Sequence, residues 1–199
     1  TKLYRQGGVL LYSTYLGGTN TPTGEDEITG IALDDSGNIL VCGSTDASDF
    51  PTTLNAYQEV KANGYDAFVT KLNLSEAGSA QLAYSTFLGS DGLFDNGLGI
   101  AVDTLSNIFV IGKTDSDSFP TTGNAYQPAH DTLDDSLVAK LDPSKTGTDQ
   151  LRYSTYLGGN NTDYGYGSAL GQGPNEIYVA GWTNSSNFPT AHAYQATYG

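Results

Sequence analysis

The sequence predicts an all-β fold made of one repeated unit, and three observations carry that expectation. The motif Tyr-Ser-Thr-Tyr/Phe-Leu-Gly-Gly/Ser occurs at Tyr12–Gly18, Tyr84–Ser90 and Tyr153–Gly159. Gly43, Gly112 and Gly181 stand 69 residues apart, as do Phe50-Pro51, Phe119-Pro120 and Phe188-Pro189, and likewise Lys2-Leu3, Lys71-Leu72 and Lys140-Leu141. No segment sustains a helical apolar period, while 25 glycines and 14 tyrosines against 8 Lys plus Arg suit short strands and many turns. A fixed period of this kind marks a supersecondary unit whose apolar face is buried by the next copy.

Four extended segments recur in order. Segment A is Gly30-Ile31-Ala32-Leu33-Asp34, repeated as Gly99-Ile100-Ala101-Val102-Asp103. A tight turn, Asp35-Ser36-Gly37-Asn38, leads into segment B at Ile39–Gly43, Ile108–Gly112 and Ile177–Gly181. The turn chemistry and the β-branched content make A and B a hairpin. Segment C is Asp66–Leu72, with a second copy at Ser136–Leu141, and segment D is the Tyr-Ser-Thr motif, which alternates aromatic and small polar residues like a half-buried strand. In the third unit, Ala169-Leu170-Gly171-Gln172 stands where A is expected, which predicts a weak or distorted inner strand.

Four antiparallel strands per unit describe a β-propeller blade. A β-solenoid is the alternative, although its coils are usually shorter. Residues 1–199 form a single repeat domain, with a partial C/D pair in 1–18, units at 19–90 and 91–159, and a partial unit at 160–199. About three blades cannot close a ring, because propellers have four or more. Since Thr1-Lys2-Leu3 matches Thr70-Lys71-Leu72, the chain opens inside a repeat and is expected to be a piece of a longer one.

These linked motifs, together with Asp-Phe-Pro-Thr-Thr and Asn-Ala-Tyr-Gln, resemble the bacterial SBBP family of β-propeller repeats. The resemblance implies a secreted or cell-surface protein of modular build, with no general catalytic motif.

Composition narrows the partners. A net charge of −14 argues against nucleic acid and anionic membrane as partners, which need clustered Lys and Arg, and no apolar run is long enough for a membrane helix. The single cysteine, Cys42, aligns with Ile111 and Ala180 and reads as a small core residue.

In an up-and-down blade the B–C and D–A connections share one face. Here the B–C connection runs from about Ser44 to Tyr65, and the D–A connections are Gly17–Ile28, Gly89–Leu98 and Gly158–Tyr166. Loops of this length on a rigid scaffold are where binding usually sits. The same face collects Asp26, Asp46, Asp49, Asp91, Asp95, Asp115, Asp117 and Asp163, with Glu25 and Glu27 beside them. Hard oxygen ligands in Gly-containing loops suit Ca²⁺, and turn chemistry with solvated charge is the other reading. Phe50, Phe119 and Phe188 are expected to pin the long loop, with Tyr57, Tyr126 and Tyr194 packing beside them. Trp182, where the other units have Ser44 and Lys113, is the candidate ligand-binding residue for a carbohydrate or protein, against ordinary half-burial.

No residue is a catalytic candidate. His130 and His192 have no matched nucleophile, and two histidines without a cysteine pair make no zinc site. Three function classes result. The first is a non-enzymatic extracellular module for protein or glycan interaction or adhesion. The second is a structural subunit of a surface assembly or filament joined by strand complementation, with copies of itself or further blades as partners. The third is a carboxylate-dependent glycoside hydrolase or lyase.

Overall fold

The computed structural model describes residues 1–4, 8–19, 25–131, 133–173 and 176–199, so part of the first D–A connection, 20–24, lies outside the described residues. The first full sheet joins β3 (Asp26–Leu33), β4 (Ile39–Thr45), β5 (Asp66–Leu72) and β6 (Leu82–Leu88). The second joins β7 (Asp95–Val102), β8 (Ile108–Thr114), β9 (Asp135–Leu141) and β10 (Leu151–Leu157). Each is an antiparallel meander in chain order, the A-B-C-D blade the sequence predicts. Two shorter sheets flank them: β1 (Lys2–Leu3) with β2 (Leu10–Tyr12), and β11 (Asp163–Leu170) with β12 (Ile177–Thr183).

The A strands lie innermost, with β7 between β3 and β11. This radial order of successive sheets, open at both ends, is that of a partial propeller. Leu40, Cys42, Val69 and Leu88 of the first sheet pack on Ile100, Val110, Leu137 and Tyr156 of the second in one buried cluster. Ile39, Val41, Phe50, Phe68 and Phe87 form a second cluster on the opposite face of the first sheet.

Each A strand carries a β-bulge at the same place: between Ile28 and Gly30, Gly97 and Gly99, and Gly165 and Gly167. The bulge pushes the A backbone toward strand B. A Cβ on Gly43 would lie 1.7 Å from the Glu27 carbonyl oxygen, on Gly112 1.8 Å from that of Asn96, and on Gly181 1.9 Å from that of Tyr164. The glycine that keeps time through the sequence is therefore a steric requirement of the bulge.

The third inner strand corrects the expectation drawn from Ala169-Leu170-Gly171-Gln172. β11 is as long as β7 and keeps its register, with Leu170 opposite Ile177 as Val102 is opposite Ile108. β11 ends at Leu170 and β12 starts at Ile177, one residue further apart than β7 and β8, so β11 lies one position earlier than strict periodicity places it. The real departure is Ser168, which stands where Ile100 stands in β7.

Phe50 packs 4.4 Å from Phe68, and Phe119 lies 6.1 Å from Tyr156, so both pin their loops as expected. Tyr57 packs against the cluster between the first two sheets. Tyr126 and Tyr194 do not follow it: they are 65% and 106% exposed. Their position faces the following sheet, which for Tyr126 has two strands rather than four.

Candidate functional site

Strand direction puts the ends of B and D and the starts of C and A at one edge of every sheet, where the two long connections emerge. The B–C loop folds back along the free edge of strand D. Thr53 N–H donates to the Ser85 carbonyl at 2.9 Å, Gln58 N–H to Thr86 Oγ1 at 2.9 Å, and Phe87 N–H to the Gln58 carbonyl at 3.0 Å. Thr122, Gln127 and Tyr156 repeat the pattern on Ser154 and Thr155. A loop laid over an edge strand in this way covers N–H and C=O groups that would otherwise template pairing.

The loop carboxylates singled out in the sequence mostly accept hydrogen bonds that tie one connection to another. Asp26 accepts from Gly18 N–H at 3.0 Å and from the Thr45 hydroxyl. Asp49 accepts from Thr19 N–H at 2.9 Å, Asp91 from Asn63 Nδ2 at 2.9 Å, and Asp115 from Leu93 and Phe94 N–H at 2.9 and 2.8 Å. Asp117 meets His130 Nδ1 at 2.9 Å, and Asp46, itself buried, donates its N–H to the Glu25 carbonyl. Among the described residues, no group of three or more His, Cys, Asp or Glu comes together that could hold a metal ion.

Two of these carboxylates do meet others, and their partners were missed. Asp95, at the start of β7, faces Asp66, at the start of β5 in the preceding sheet. Asp163, at the start of β11, faces Asp135 of β9 in the same way. A Cβ on Gly89 would lie 2.9 Å from both Asp66 Oδ1 and Asp95 Oδ2, and one on Gly158 would lie 2.1 Å from Asp135 Oδ1 and 2.9 Å from Asp163 Oδ2. The glycine of Leu-Gly is thus the only residue type that leaves room for the pair. All four aspartates are fully buried. Gln58 Nε2 donates to Asp66 Oδ2 at 2.9 Å and Gln127 Nε2 to Asp135 Oδ2 at 2.8 Å, which is the task of the glutamine in Asn-Ala-Tyr-Gln. Asp66 Oδ1 and Asp135 Oδ1 accept no hydrogen bond. Burial, with the facing carboxylate adding to it, raises Asp66 to about 7 and Asp135 to about 6, and burial raises Asp95 to about 6.

A different set of residues at this end varies from unit to unit, and its members touch. Ser44, Lys113 and Trp182 occupy one position near the end of strand B, and their A-strand partners are Glu27, Asn96 and Tyr164. The Tyr65 hydroxyl donates to Glu25 Oε2 at 3.3 Å, and the Tyr65 ring stacks on Phe94 at 4.4 Å. Lys113 Nζ lies 5.0 Å from the Phe94 ring centre and 4.8 Å from that of Tyr164, a cation–π bridge between sheets. It also sits 3.3 Å from Asp134 Oδ2, to which the Tyr164 hydroxyl donates at 2.9 Å. Tyr164 is followed at 5.5 Å by Trp182, which is 47% exposed. Burial and the bond to Asp134 push the Tyr164 hydroxyl up to about 12, so it stays a donor. The result is a continuous track, Tyr65–Phe94–Lys113–Tyr164–Trp182, running across three sheets. Only Trp182 was legible as a candidate in the sequence.

The family model described as SBBP, beta-propeller repeat, matches residues 11–51 and 84–120. The chain carries SBBP repeats. Each matched stretch starts in a D strand, crosses into the A–B hairpin of the next sheet and ends at Phe-Pro, so the sequence repeat and the structural blade are offset by one strand. The SBBP repeat is a structural repeat, and the chain is a β-propeller repeat module. A search of curated proteins finds no match to the chain.

Proposed function

We propose that this SBBP module is a non-catalytic, extracellular binding module that takes up a carbohydrate partner on its long-loop end. The observation that carries the reading is the aromatic track. Positions that repeat build the blade, whereas Tyr65, Phe94, Lys113, Tyr164 and Trp182 differ between units and still form one connected surface. Half-exposed Tyr and Trp present an apolar face with a polar tip, the combination that stacks on sugar rings while Asp134 and Lys113 offer hydrogen-bonding groups at the margin.

Two features support the absence of catalysis. The carboxylate pairs that come together, Asp66 with Asp95 and Asp135 with Asp163, are fully buried and out of a glycan's reach. The His130 ring is engaged by Asp117 Oδ1 at 2.9 Å and packs 5.5 Å from the Tyr156 ring. The resemblance to SBBP proteins motivates the extracellular part of the proposal, and detection of the protein in surface and medium fractions tests it.

The binding test is a glycan array followed by calorimetry on the best polymer, run with Ca²⁺ and with EDTA. Trp182→Ala and Tyr164→Ala are expected to weaken binding at least tenfold, by about 1.4 kcal/mol, while Tyr126→Ala, an exposed tyrosine off the track, leaves it unchanged. Binding that ignores both track substitutions would sink the reading. Capture of a protein but of no glycan would move the partner to the protein class. Equal affinity in Ca²⁺ and EDTA would assign the loop carboxylates to turn chemistry alone.

A further inference from the structure

Two successive interfaces between sheets each bury a pair of facing carboxylates without a counter-ion. Asp66 and Asp95 meet between the two full sheets, and Asp135 and Asp163 meet one interface further on, all four 0% exposed. The ion pairs of the described residues, such as Lys71–Asp34 and Lys113–Asp134, leave these aspartates out. The basic residue a few positions before each strand C is engaged elsewhere. Lys61 Nζ donates to the Ala62 and Gly64 carbonyls at 2.8 and 2.5 Å, and His130 Nδ1 meets Asp117 at 2.9 Å. Buried like charges side by side persist only where something neutralises them.

One oxygen of each strand-C aspartate is left over, and it is the same oxygen both times. Gln58 Nε2 and Ala62 N–H each donate to Asp66 Oδ2 at 2.9 Å, and Gln127 Nε2 and Asp131 N–H donate to Asp135 Oδ2 at 2.8 and 3.3 Å. Asp66 Oδ1, Asp135 Oδ1 and Asp163 Oδ1 are buried and accept nothing. The glutamine fixes this orientation, because its Oε1 also accepts from the glycine beside the pair, Gly89 N–H at 3.0 Å and Gly158 N–H at 2.9 Å. The point where a Cβ of Gly89 would stand is 2.9 Å from both Asp66 Oδ1 and Asp95 Oδ2. At Gly158 the matching distances to Asp135 Oδ1 and Asp163 Oδ2 are 2.1 and 2.9 Å. Free oxygens of one sheet and carboxylate oxygens of the next thus converge on a gap that glycine leaves without a side chain.

We propose that each gap binds a Ca²⁺ ion that bridges the strand-C aspartate of one sheet to the strand-A aspartate of the next. The donors at hand are all oxygens. Beside the two carboxylates stand hydroxyls: Thr114 Oγ1 and Ser116 Oγ donate to Asp95, and Ser185 Oγ donates to Asp163 at 2.7 Å. Oxygen donors without nitrogen or sulfur suit Ca²⁺ and Mg²⁺ rather than the softer metals. Full burial decides between those two, since Mg²⁺ keeps several waters in a strict octahedron and Ca²⁺ accepts irregular sets of protein oxygens. A divalent ion also matches the charge of two carboxylates. Of the eight aspartates that the sequence offers for Ca²⁺, only Asp95 and Asp163 take part, and Asp66 and Asp135 are their partners.

What the ion does follows from where it sits. Asp66 and Asp135 open strand C directly after a long B–C loop, and Asp95 and Asp163 open strand A directly after a D–A connection. Each ion therefore ties both long connections together across a blade interface. Two carboxylates with neutral oxygens give a low charge count, so the dissociation constant is expected on the order of 10⁻⁴ to 10⁻³ M, the range of extracellular modules. The site exists only when two blades are packed, so the ion binds the folded chain and stabilises it.

The test uses the purified 199-residue chain, stripped with EDTA, exchanged into metal-free neutral buffer and titrated with Ca²⁺ alone. Calorimetry reads affinity, and equilibrium dialysis counts the ions bound. Two per chain are expected, one for each pair. Asp66→Asn, which keeps an acceptor for Gln58 and Ala62, should leave one, and Asp66→Asn with Asp135→Asn should leave none. Asp117→Asn, at a carboxylate 92% exposed, should leave both. Ca²⁺ should raise the melting temperature of the wild type and not that of the double variant. In EDTA the double variant, confirmed as folded by circular dichroism, should be no less stable than the wild type, because it has lost only like-charge contacts. Mg²⁺ should bind at least tenfold more weakly. No uptake at about 10 mM Ca²⁺, tenfold above the weakest constant expected, would overturn the proposal and leave the pairs to protons alone. Uptake that survives both asparagine substitutions, or equal affinity for Mg²⁺, would overturn it as well.

Discussion

The Tyr84 hydroxyl donates to Gln150 Oε1 at 2.8 Å in a fully buried bond between the last strand of one sheet and the turn entering the last strand of the next. Tyr84 is the first residue of the repeated Tyr-Ser-Thr motif, and Gln150 also ties the preceding loop through the Asn55 carbonyl at 2.9 Å. Burial raises the Tyr84 hydroxyl far above the range where it ionises, so it remains a donor. The motif therefore shapes strand D and also fixes the spacing between blades.

Tyr84→Phe is expected to cost about 1–3 kcal/mol, because it strands the buried Gln150 oxygen without a donor. The equivalent bond from Tyr12 to Gln81 is partly buried and 3.4 Å long, and Tyr12→Phe should cost less than about 0.5 kcal/mol. Urea unfolding of the two variants compares them, and equal losses would deny the interblade bond its role.

Gly112→Ala should be among the most damaging single-methyl additions in the chain. The new Cβ would sit 1.8 Å from the Asn96 carbonyl oxygen, a backbone atom that cannot step aside without undoing the bulge. A loss above about 3 kcal/mol, or failure to fold, is expected. Gly123→Ala has nothing within 4 Å of its Cβ and serves as the control, with no measurable loss expected in the same thermal melts.

Much of this fold could be read from the sequence, because the blade's steric requirements recur with the period. The glycine opposite the bulge, the Phe-Pro anchor and the A–B turn, where Asp34 and Asp103 accept from Asn38 and Asn107 N–H at 2.9 and 2.8 Å, all repeat. The third A strand was misplaced because a single extra turn residue shifts it off period. Asp66 and Asp135 were passed over as site residues because each looks like an ordinary first residue of strand C. Their meaning lies in the A strand of the next sheet, which only the packing of blades brings near. The aromatic track escaped for the opposite reason: its members do not repeat, and a search for period discards them.

The buried carboxylates predict an inverted acid response. Asp66 faces Asp95 and has Lys61 nearby, Asp95 also feels Asp115, and Asp135 lies among His130, Asp163 and Asp131. All three are raised by burial, so the folded chain holds protons that an unfolded aspartate has released. Between about pH 4 and pH 7 the folded state binds more protons, and stability falls as pH rises through that window. Asp34 acts in the opposite sense. Burial pushes it up, but the bonds from Lys71 and Asn38 bring it down to about 2, so its contribution is lost only in stronger acid. The melting temperature should therefore be higher near pH 5 than near pH 8. Asp66→Asn, whose amide can donate to Asp95, should flatten the slope and stabilise the protein at the higher pH. A melting temperature that rises steadily from pH 5 to about 8 would contradict this.

Ile100 and Ile31 offer the last and most discriminating comparison, since they are the same position in consecutive blades. Ile100 is buried between the first two sheets, with Gly30 and Gly99 drawn close beneath it, and Ile100→Ala should cost about 2–5 kcal/mol through lost contacts and a residual cavity. Ile31 is 66% exposed, and Ile31→Ala should cost no more than about 0.5 kcal/mol. Chemical denaturation of the two variants under the same conditions reads the comparison directly, and equal losses would show that the blade-to-blade contact over Ile100 does not carry the stability assigned to it.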